Sequence, residues 1–288
     1  MVLEGQWALN EFVEIASALK DAIERLARTS ESPRLDAELL LARALDVPRG
    51  YLIAHPEDTL DPAASERFFT LLKRRASGEP MAYITGEREF WSMNLMVSPD
   101  TLVPRPETEL LVERALMLIG RRASQRILDL GTGSGAIALA IARERPLCEI
   151  VATDKSEAAL AIAQQNARQL DLGNVSFSQG SWTEPVADQQ FDMVVSNPPY
   201  VRSDDPALTA LRHEPVAALA SGKDGLDDIR EIAKTAGSVL IEGGYLLLEH
   251  GSEQQVDVAR ILENNAWTGI ECVQDLGGRP RVTIARKR

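Results

Sequence analysis

The chain has 288 residues, room for about two domains, and its 44% hydrophobic and 26% charged content suits a globular protein with a sizeable core. With 43 acidic against 31 basic residues the net charge is −12, a field that repels nucleic-acid phosphates unless a local basic patch overrides it. Two cysteines with no CxxC or Cys/His cluster argue against a disulfide framework and against a metal. No apolar run approaches the ~20 residues of a membrane span, and the acidic N-terminal stretch MVLEGQWALNEFVEI is unlike a targeting peptide, so a cytoplasmic location is expected.

Residues 1–77 read as helices only. Phe12, Ile15, Ala16, Leu19, Ile23 and Leu26 recur at three- and four-residue steps, the stripe of an amphipathic helix. Ser32 before Pro33 starts a second helix, with Leu35, Leu39, Leu40, Ala44 and Leu45 as its apolar face and Pro48 as its limit. Asp61-Pro62 starts a third that carries Phe68, Phe69, Leu72 and Ala76 and ends at Gly78. This segment holds ten basic and thirteen acidic residues and is expected to act as a helical substrate-recognition domain for a protein partner.

Residues 78–104 carry Gly and Pro punctuation between aromatic and β-branched residues, which predicts a β-hairpin linker. From 105 to 288 strand and helix alternate. RILDL, EIVATD, VSFSQ, FDMVVS and GYLLLEH are apolar runs separated by helical stretches, and GIECVQD and RVTIARK flank a turn at LGGRP. The pattern predicts an α/β fold, a largely parallel sheet with helices on both faces and a closing antiparallel hairpin.

Two segments carry chemistry. Gly131-Thr132-Gly133-Ser134-Gly135 runs from the first of these strands into a helix, where glycines let a ligand approach the backbone and the helix N-terminus offers free N–H groups. Asp154 ends the next strand, placed to bond both ribose hydroxyls. A tight structural turn with Asp154 as a helix cap is the bland alternative. The loop reads GxGxG, not the GxGxxG of a dinucleotide site. Trp182, just after the third strand, is a wall for an adenine ring or a core tryptophan.

Asn197-Pro198-Pro199-Tyr200 follows the fourth strand, at the carboxyl edge of the sheet. Pro198 holds Asn197 extended, and neither proline has an N–H to donate. The Asn197 side-chain oxygen and the Pro198 carbonyl can therefore accept both hydrogens of one planar –NH₂ group, with Tyr200 packing on its face. Such a cradle fixes a poor nitrogen nucleophile in line with an electrophilic methyl. By itself this gives a methyltransferase acting on glutamine, asparagine, adenine or cytosine.

Together GTGSG, Asp154, Ser181-Trp182 and NPPY, with RLDAELLLA at 34–42, GEPMAYITGEREFWSMNLMVSPDTLVPRPETE at 78–109 and DLGGRPRVTIARK at 275–287, resemble the release-factor glutamine methyltransferase (PrmC/HemK) family. The resemblance implies a class I S-adenosylmethionine-dependent methyltransferase, Rossmann-like with a seven-stranded sheet, behind a small all-helical N-terminal domain and a hairpin linker. It implies methylation of the side-chain amide nitrogen of the glutamine in the GGQ motif of class 1 peptide-chain release factors. Gly131, Thr132, Gly133, Ser134, Gly135, Asp154, Trp182 and Asn197 would hold S-adenosylmethionine, with no metal. Asn197, Pro198, Pro199 and Tyr200 would cradle the substrate, with Asn197, Pro198 and Tyr200 catalytic. A nucleic-acid adenine amino methyltransferase is the alternative; the charge of −12 argues against direct nucleic-acid binding. A nicotinamide oxidoreductase lacks a proton-transfer residue beside the loop, and a non-catalytic binding module would not need Asn197. Arg105, Glu107 and Glu109 are expected at a helix start, Tyr83, Phe90 and Trp91 in hairpin packing, Glu249-His250 in a structural role, and Arg279 and Arg281 beside the final hairpin turn.

Overall fold

A computed structural model describes residues 13–122 and 124–288; Phe12 and the stretch before it lie outside the described residues. The chain divides into two compact units, residues 1–85 and 86–288. Among the described residues no helix is long and apolar enough to cross a membrane.

The first unit packs helices α1 (Ile15–Leu26), α2 (Pro33–Leu45), α3 (Arg49–Ala54), α4 (Pro62–Ala76) and α5 (Met81–Thr85) around one apolar core. The buried face of α1 is Ile15, Ala18, Ala22 and Leu26, which shifts the predicted stripe so that Ala16 is exposed and Leu19 and Ile23 flank the core. In α2 the core face is Ala37, Leu40, Leu41 and Ala44, and the predicted Leu35 and Leu39 are exposed. The face turns because Asp36 is buried, ion-paired to Arg75 at 2.7 Å and bonded by the Ser30 hydroxyl at 2.7 Å. Asp61 caps α4 by accepting from Ala64 N–H at 2.7 Å. The Ser32 side chain makes no such bond.

One strand pairing departs from an all-helical reading of 1–77, and α3 adds a helix that the sequence does not mark. Residues Val13–Glu14 (β1) pair antiparallel with Thr59–Leu60 (β2), and α3 is an extra turn and a half that buries only Leu52. In the linker, residues 81–85 are helical rather than extended. Ile84 packs in the helical core, Thr85 bonds back to the Met81 carbonyl at 3.0 Å, and Gly86 at φ +80 ends the turn.

The second unit opens with the hairpin β3 (Glu87–Phe90) and β4 (Met93–Met96). A 3₁₀ turn, Pro106–Thr108, leads into α6 (Glu109–Leu118). Then come β5 (Arg126–Leu130), α7 (Ala136–Glu144), β6 (Glu149–Asp154), α8 (Glu157–Gln169), β7 (Val175–Gln179), β8 (Phe191–Ser196), the short α9 (Ala207–Ala210), α10 (Asp227–Val239), β9 (Leu240–Glu249), α11 (Gln255–Asn264), β10 (Thr268–Gln274) and β11 (Pro280–Arg286). The seven-stranded sheet has the order β10-β11-β9-β8-β5-β6-β7. β9, β8, β5, β6 and β7 run parallel, and β11 lies antiparallel to both β9 and β10.

Side chains alternate across the sheet. Ile127 joins a core with the β3–β4 hairpin, α6 and the apolar run of residues 136–142 in α7; Leu128 and Leu130 join the opposite core with α10 and α11. Phe90 is part of the first core, and Trp91 in the hairpin turn donates to Glu144 at 3.2 Å. The chain order reverses direction between β5 and β8, so the loops after these neighbouring strands diverge and leave a crevice at their carboxyl ends, where open α/β sheets bind ligands.

Candidate active site

The loop after β5 begins with Gly131 at φ +72, and Gly133 and Gly135 follow at φ +56 and +88, a backbone that strains any residue with a Cβ. Gly131 and Thr132 N–H both donate to the Thr153 carbonyl, at 2.9 and 3.0 Å, which ties the loop to the end of β6. Three residues of the loop have different duties. A Cβ on Gly131 would meet the Trp182 ring at 3.3 Å, one on Gly133 would meet nothing, and one on Gly135 would press on Leu139 and Ala163 at 3.0 and 3.3 Å. Gly135 thus serves helix packing.

Asp154 accepts from Gly133 N–H on Oδ2 and from Ser156 N–H on Oδ1, each at 2.9 Å. Each carboxylate oxygen keeps a lone pair for a ligand. Thr132 spends its hydroxyl on Asp129, at 2.7 Å. Asp129 lies under the loop with no exposure, and burial pushes its carboxyl up to about 7 against the Thr132 and Ala138 hydrogen bonds. Ser134 is buried, its carbonyl accepting from Asn166 at 2.8 Å. Trp182 sits at φ +46, with its carbonyl accepting from Thr153 at 3.0 Å. It packs against the α10 side of the core and also lines the cavity.

One cavity of about 260 Å³ gathers Gly131, Thr132, Gly133, Ser134, Asp154, Trp182, Asn197 and Pro199, a small-molecule space. Gly135, Pro198 and Tyr200 do not line it. Pro198 and Pro199 are buried, and Asn197 and Tyr200 half-buried. Asn197 donates from Nδ2 to the Thr108 hydroxyl at 3.1 Å. Tyr200 donates from its phenol to Glu249 Oε1 at 3.4 Å, and burial pushes the phenol pKa well up. The Tyr200 carbonyl accepts from Gln254 at 3.0 Å and lies 2.3 Å from where a Cβ on Gly225 would stand. Gly225, at φ +77, is what lets that backbone pass.

Thr108 and Glu214 are not singled out by the sequence, and Arg105, Glu109 and Glu249 read there as helix-start and structural residues. Thr108 and Arg105 line the cavity from the segment before α6. Arg105 is ion-paired to the buried Glu214 at 2.5 Å, and Glu214 also accepts from Val103 N–H at 3.1 Å. The loop after NPPY is thereby clamped to the 103–105 segment. Glu109 accepts from Trp91 N–H at 2.8 Å, so it anchors the β3–β4 hairpin as well as sitting at the helix start. Glu249 ends β9 with no exposure beneath Thr108 and Tyr200, and burial pushes it up to about 7. His250 is held between the Gly251 carbonyl and the Thr283 hydroxyl, at 2.9 and 2.8 Å. The Arg281 guanidinium pairs with Asp275 at 3.4 Å beside the hairpin turn.

Comparison with known proteins places this architecture. The PrmC N-terminal domain matches residues 17–86 and a methyltransferase domain matches residues 122–279. The release factor glutamine methyltransferase of Coxiella burnetii is 46% identical, over 96% of this chain and 99% of its own. That of Xylella fastidiosa is 48% identical, over 90% of this chain and 95% of its own. A methyltransferase from Pyrococcus furiosus shares the fold at a TM-score of 0.52 and 18% identity, covering 77% of this chain and 98% of that one. At such identity over nearly the full length of its relatives, the chain belongs to the release factor glutamine methyltransferase family.

Proposed function

We propose that this protein transfers a methyl group from S-adenosylmethionine to the side-chain amide nitrogen of the glutamine in the GGQ motif of class 1 peptide-chain release factors. The observation that carries the reading is the orientation of Asn197. Asn197 lines the cavity and its Nδ2 is committed to Thr108 at 3.1 Å, which leaves Oδ1 as the acceptor for an incoming –NH₂ group. The family of the chain supports glutamine over the other planar amines, and the 45–48% identical relatives all carry the same activity in their names.

The residues present fit the co-substrate. Gly131 and Gly133 keep the loop free of Cβ atoms where a ligand passes, Asp154 keeps acceptor capacity for ribose hydroxyls, and the Trp182 ring offers an apolar face. When bound, S-adenosylmethionine supplies an electrophilic methyl on a sulfonium that departs as a neutral thioether. Everything else falls to the chain. Asn197 Oδ1 and the Pro198 carbonyl take the two amide N–H bonds, hold the nitrogen and draw electron density onto it. Pro198 forbids Asn197 the helical conformation, so the acceptor pair is preset and little is reorganised at the moment of reaction. The extra proton leaves after the methyl has moved, when the nitrogen is acidic, and no strong base is needed to take it. The helical unit would recognise the protein substrate, and a cytoplasmic setting suits that substrate.

The test is mass spectrometry of unmethylated release factor after incubation with enzyme and S-adenosylmethionine, with Asn197→Ala as control. One methyl on the GGQ glutamine, absent with the variant, is the expected result. Methyl transfer elsewhere, or none with cofactor bound, rejects the substrate.

A further inference from the structure

The NPPY segment is hard to hold in place through its own backbone. Pro198 and Pro199 have no N–H to donate, and the Pro198 carbonyl has to stay open if it is to accept from a substrate amide. The segment is therefore fixed chiefly from its ends. At the front, the Ser196 hydroxyl donates to the Leu130 carbonyl at 2.7 Å, and Asn197 Nδ2 donates to the Thr108 hydroxyl at 3.1 Å. At the back, Gln254 Nε2 donates to the Tyr200 carbonyl at 3.0 Å, and Val201 N–H donates to the Leu219 carbonyl at 2.9 Å.

Gln254 stands in the turn between β9 and α11. Its side-chain oxygen accepts from Gly251 N–H at 2.8 Å. Its Nε2 faces three carbonyls, those of Tyr200 at 3.0 Å, Gly225 at 3.3 Å and Asp224 at 3.4 Å. An amide nitrogen carries two hydrogens, so the shortest contact, to Tyr200, takes one and the other is shared. A backbone carbonyl only accepts and a backbone N–H only donates, so these partners leave the Gln254 amide a single orientation. Two glycines keep the junction tight. A Cβ on Gly225 would stand 2.9 Å from Gln254 Nε2, and one on Gly251 would stand 3.0 Å from Oε1. One side chain thus joins three stretches of backbone: the end of NPPY, the loop at 224–225 and the turn after β9. Glu249, the last residue of β9, accepts from the Tyr200 phenol at 3.4 Å. The same connection therefore holds Tyr200 both by its ring and by its backbone.

We propose that Gln254 is a positioning residue for methyl transfer: by fastening the Tyr200 carbonyl to the turn after β9, it fixes the backbone that presents the Pro198 carbonyl and the Tyr200 ring to the substrate amide. The inference rests on reading NPPY as the substrate cradle. Gln254 does not line the cavity; it acts through Tyr200, two residues along the chain from the Pro198 acceptor. A misplacement of about 1 Å can cost about 100-fold in rate, so loss of this anchor tells on kcat before it tells on melting or on cofactor affinity.

The experiment compares wild type with two variants. Gln254→Met keeps the length of the side chain and removes its polar atoms. Gln254→Glu keeps the acceptor for Gly251 N–H and, when ionised, has no hydrogen for the Tyr200 carbonyl. Gln255→Ala, at the exposed neighbouring position, is the control. In both Gln254 variants kcat for release-factor methylation is expected to fall roughly 10- to 100-fold. Affinity for S-adenosylmethionine and KM for release factor should stay within about twofold of wild type, and Tm within a few degrees. Gln255→Ala should match wild type throughout. Wild-type kcat in Gln254→Glu, or a fall in kcat that only follows a collapse of Tm, overturns the proposal.

A second readout needs no substrate. The pairs Pro-Tyr and Tyr-Val each occur once in the chain, at 199–200 and 200–201, so labelling the first residue of a pair with carbonyl ¹³C and the second with amide ¹⁵N gives one cross-peak for each. In both Gln254 variants the Tyr200–Val201 peak should move, and the Pro199–Tyr200 peak should broaden or double as the segment takes more than one placement. Peaks that coincide with those of wild type reject the anchor whatever the rate of methylation. Shifted peaks in an enzyme that methylates no glutamine keep the anchor and reject the substrate.

Discussion

Gly131 and Trp182 form a matched pair. A Cβ at Gly131 would stand 3.3 Å from the ring in a backbone at φ +72, so Gly131→Ala combines roughly 1–2 kcal/mol of backbone strain with displacement of the wall. Calorimetry should show cofactor affinity falling by about tenfold or more. Trp182→Ala in the same chain should recover little, because the backbone strain remains. Asp129 makes a different prediction, about stability. Its folded pKa of about 7 lies above the ordinary aspartate value, so the folded state holds its proton more tightly than the unfolded one. That contribution is complete below the unfolded pKa and is lost as pH rises through about 7. Glu249, also at about 7, adds in the same direction. Thermal melts should therefore give a higher Tm at pH 6 than at pH 8.5, by roughly a few degrees, and Asp129→Asn should narrow the difference. Equal melting across that range in both proteins would rule this out. Such residues show how far a sequence can be read. Gly131, Asp154 and Asn197 stood out because spacing and flanking strands announce them. Thr108 did not, and Glu249 read only as structural, since their contacts with Asn197 and Tyr200 close 89-residue and 49-residue separations through the fold.

At the level of elements, the strands were legible and some helix faces were not. Each of the seven sheet strands coincides with a run read from the sequence, with β9 beginning earlier, at Leu240. The faces of α1 and α2 shifted because alanines, which carry little weight in a hydropathy stripe, fill the tightest contacts, and because a buried Asp36–Arg75 pair sits inside the helical core. The segment from Val201 to Leu226 had no periodicity to read. It is shaped by contacts distant in sequence: the Val201–Ala220 bridge, the Glu214 clamp and the close pass of Gly225 over the Tyr200 carbonyl. Glu214 is 4% exposed and takes both the Arg105 guanidinium and the Val103 N–H. Removing it leaves Arg105 half-desolvated without a partner. Glu214→Ala should therefore loosen the loop more than it lowers the global Tm. Limited proteolysis is expected to cut between residues 201 and 221 at least several-fold faster in the variant. Equal cutting rates would mean that the clamp does not hold the loop.

For the molecule as a whole, charge is the property that bears on partner choice. The net −12 is spread over both units, with thirteen acidic and ten basic residues in the first 77. A protein that works against ribosomal RNA needs basic surface, so the proposed substrate and this enzyme should attract one another before they touch. Such attraction acts over about a Debye length, which shrinks from about 30 Å at 0.01 M salt to about 10 Å at 0.1 M. It contributes mainly to the rate of encounter with a folded partner and little to the chemistry at Asn197. The two can be separated by substrate. With full-length release factor, kcat/KM should fall by about tenfold between 0.01 and 0.2 M salt, while kcat stays level. With a short neutral peptide carrying the GGQ glutamine, kcat/KM should be lower throughout and nearly independent of salt. If salt leaves the full-length reaction untouched, the acidic surface has no part in recognition, and discrimination among protein substrates must come from uncharged contacts alone.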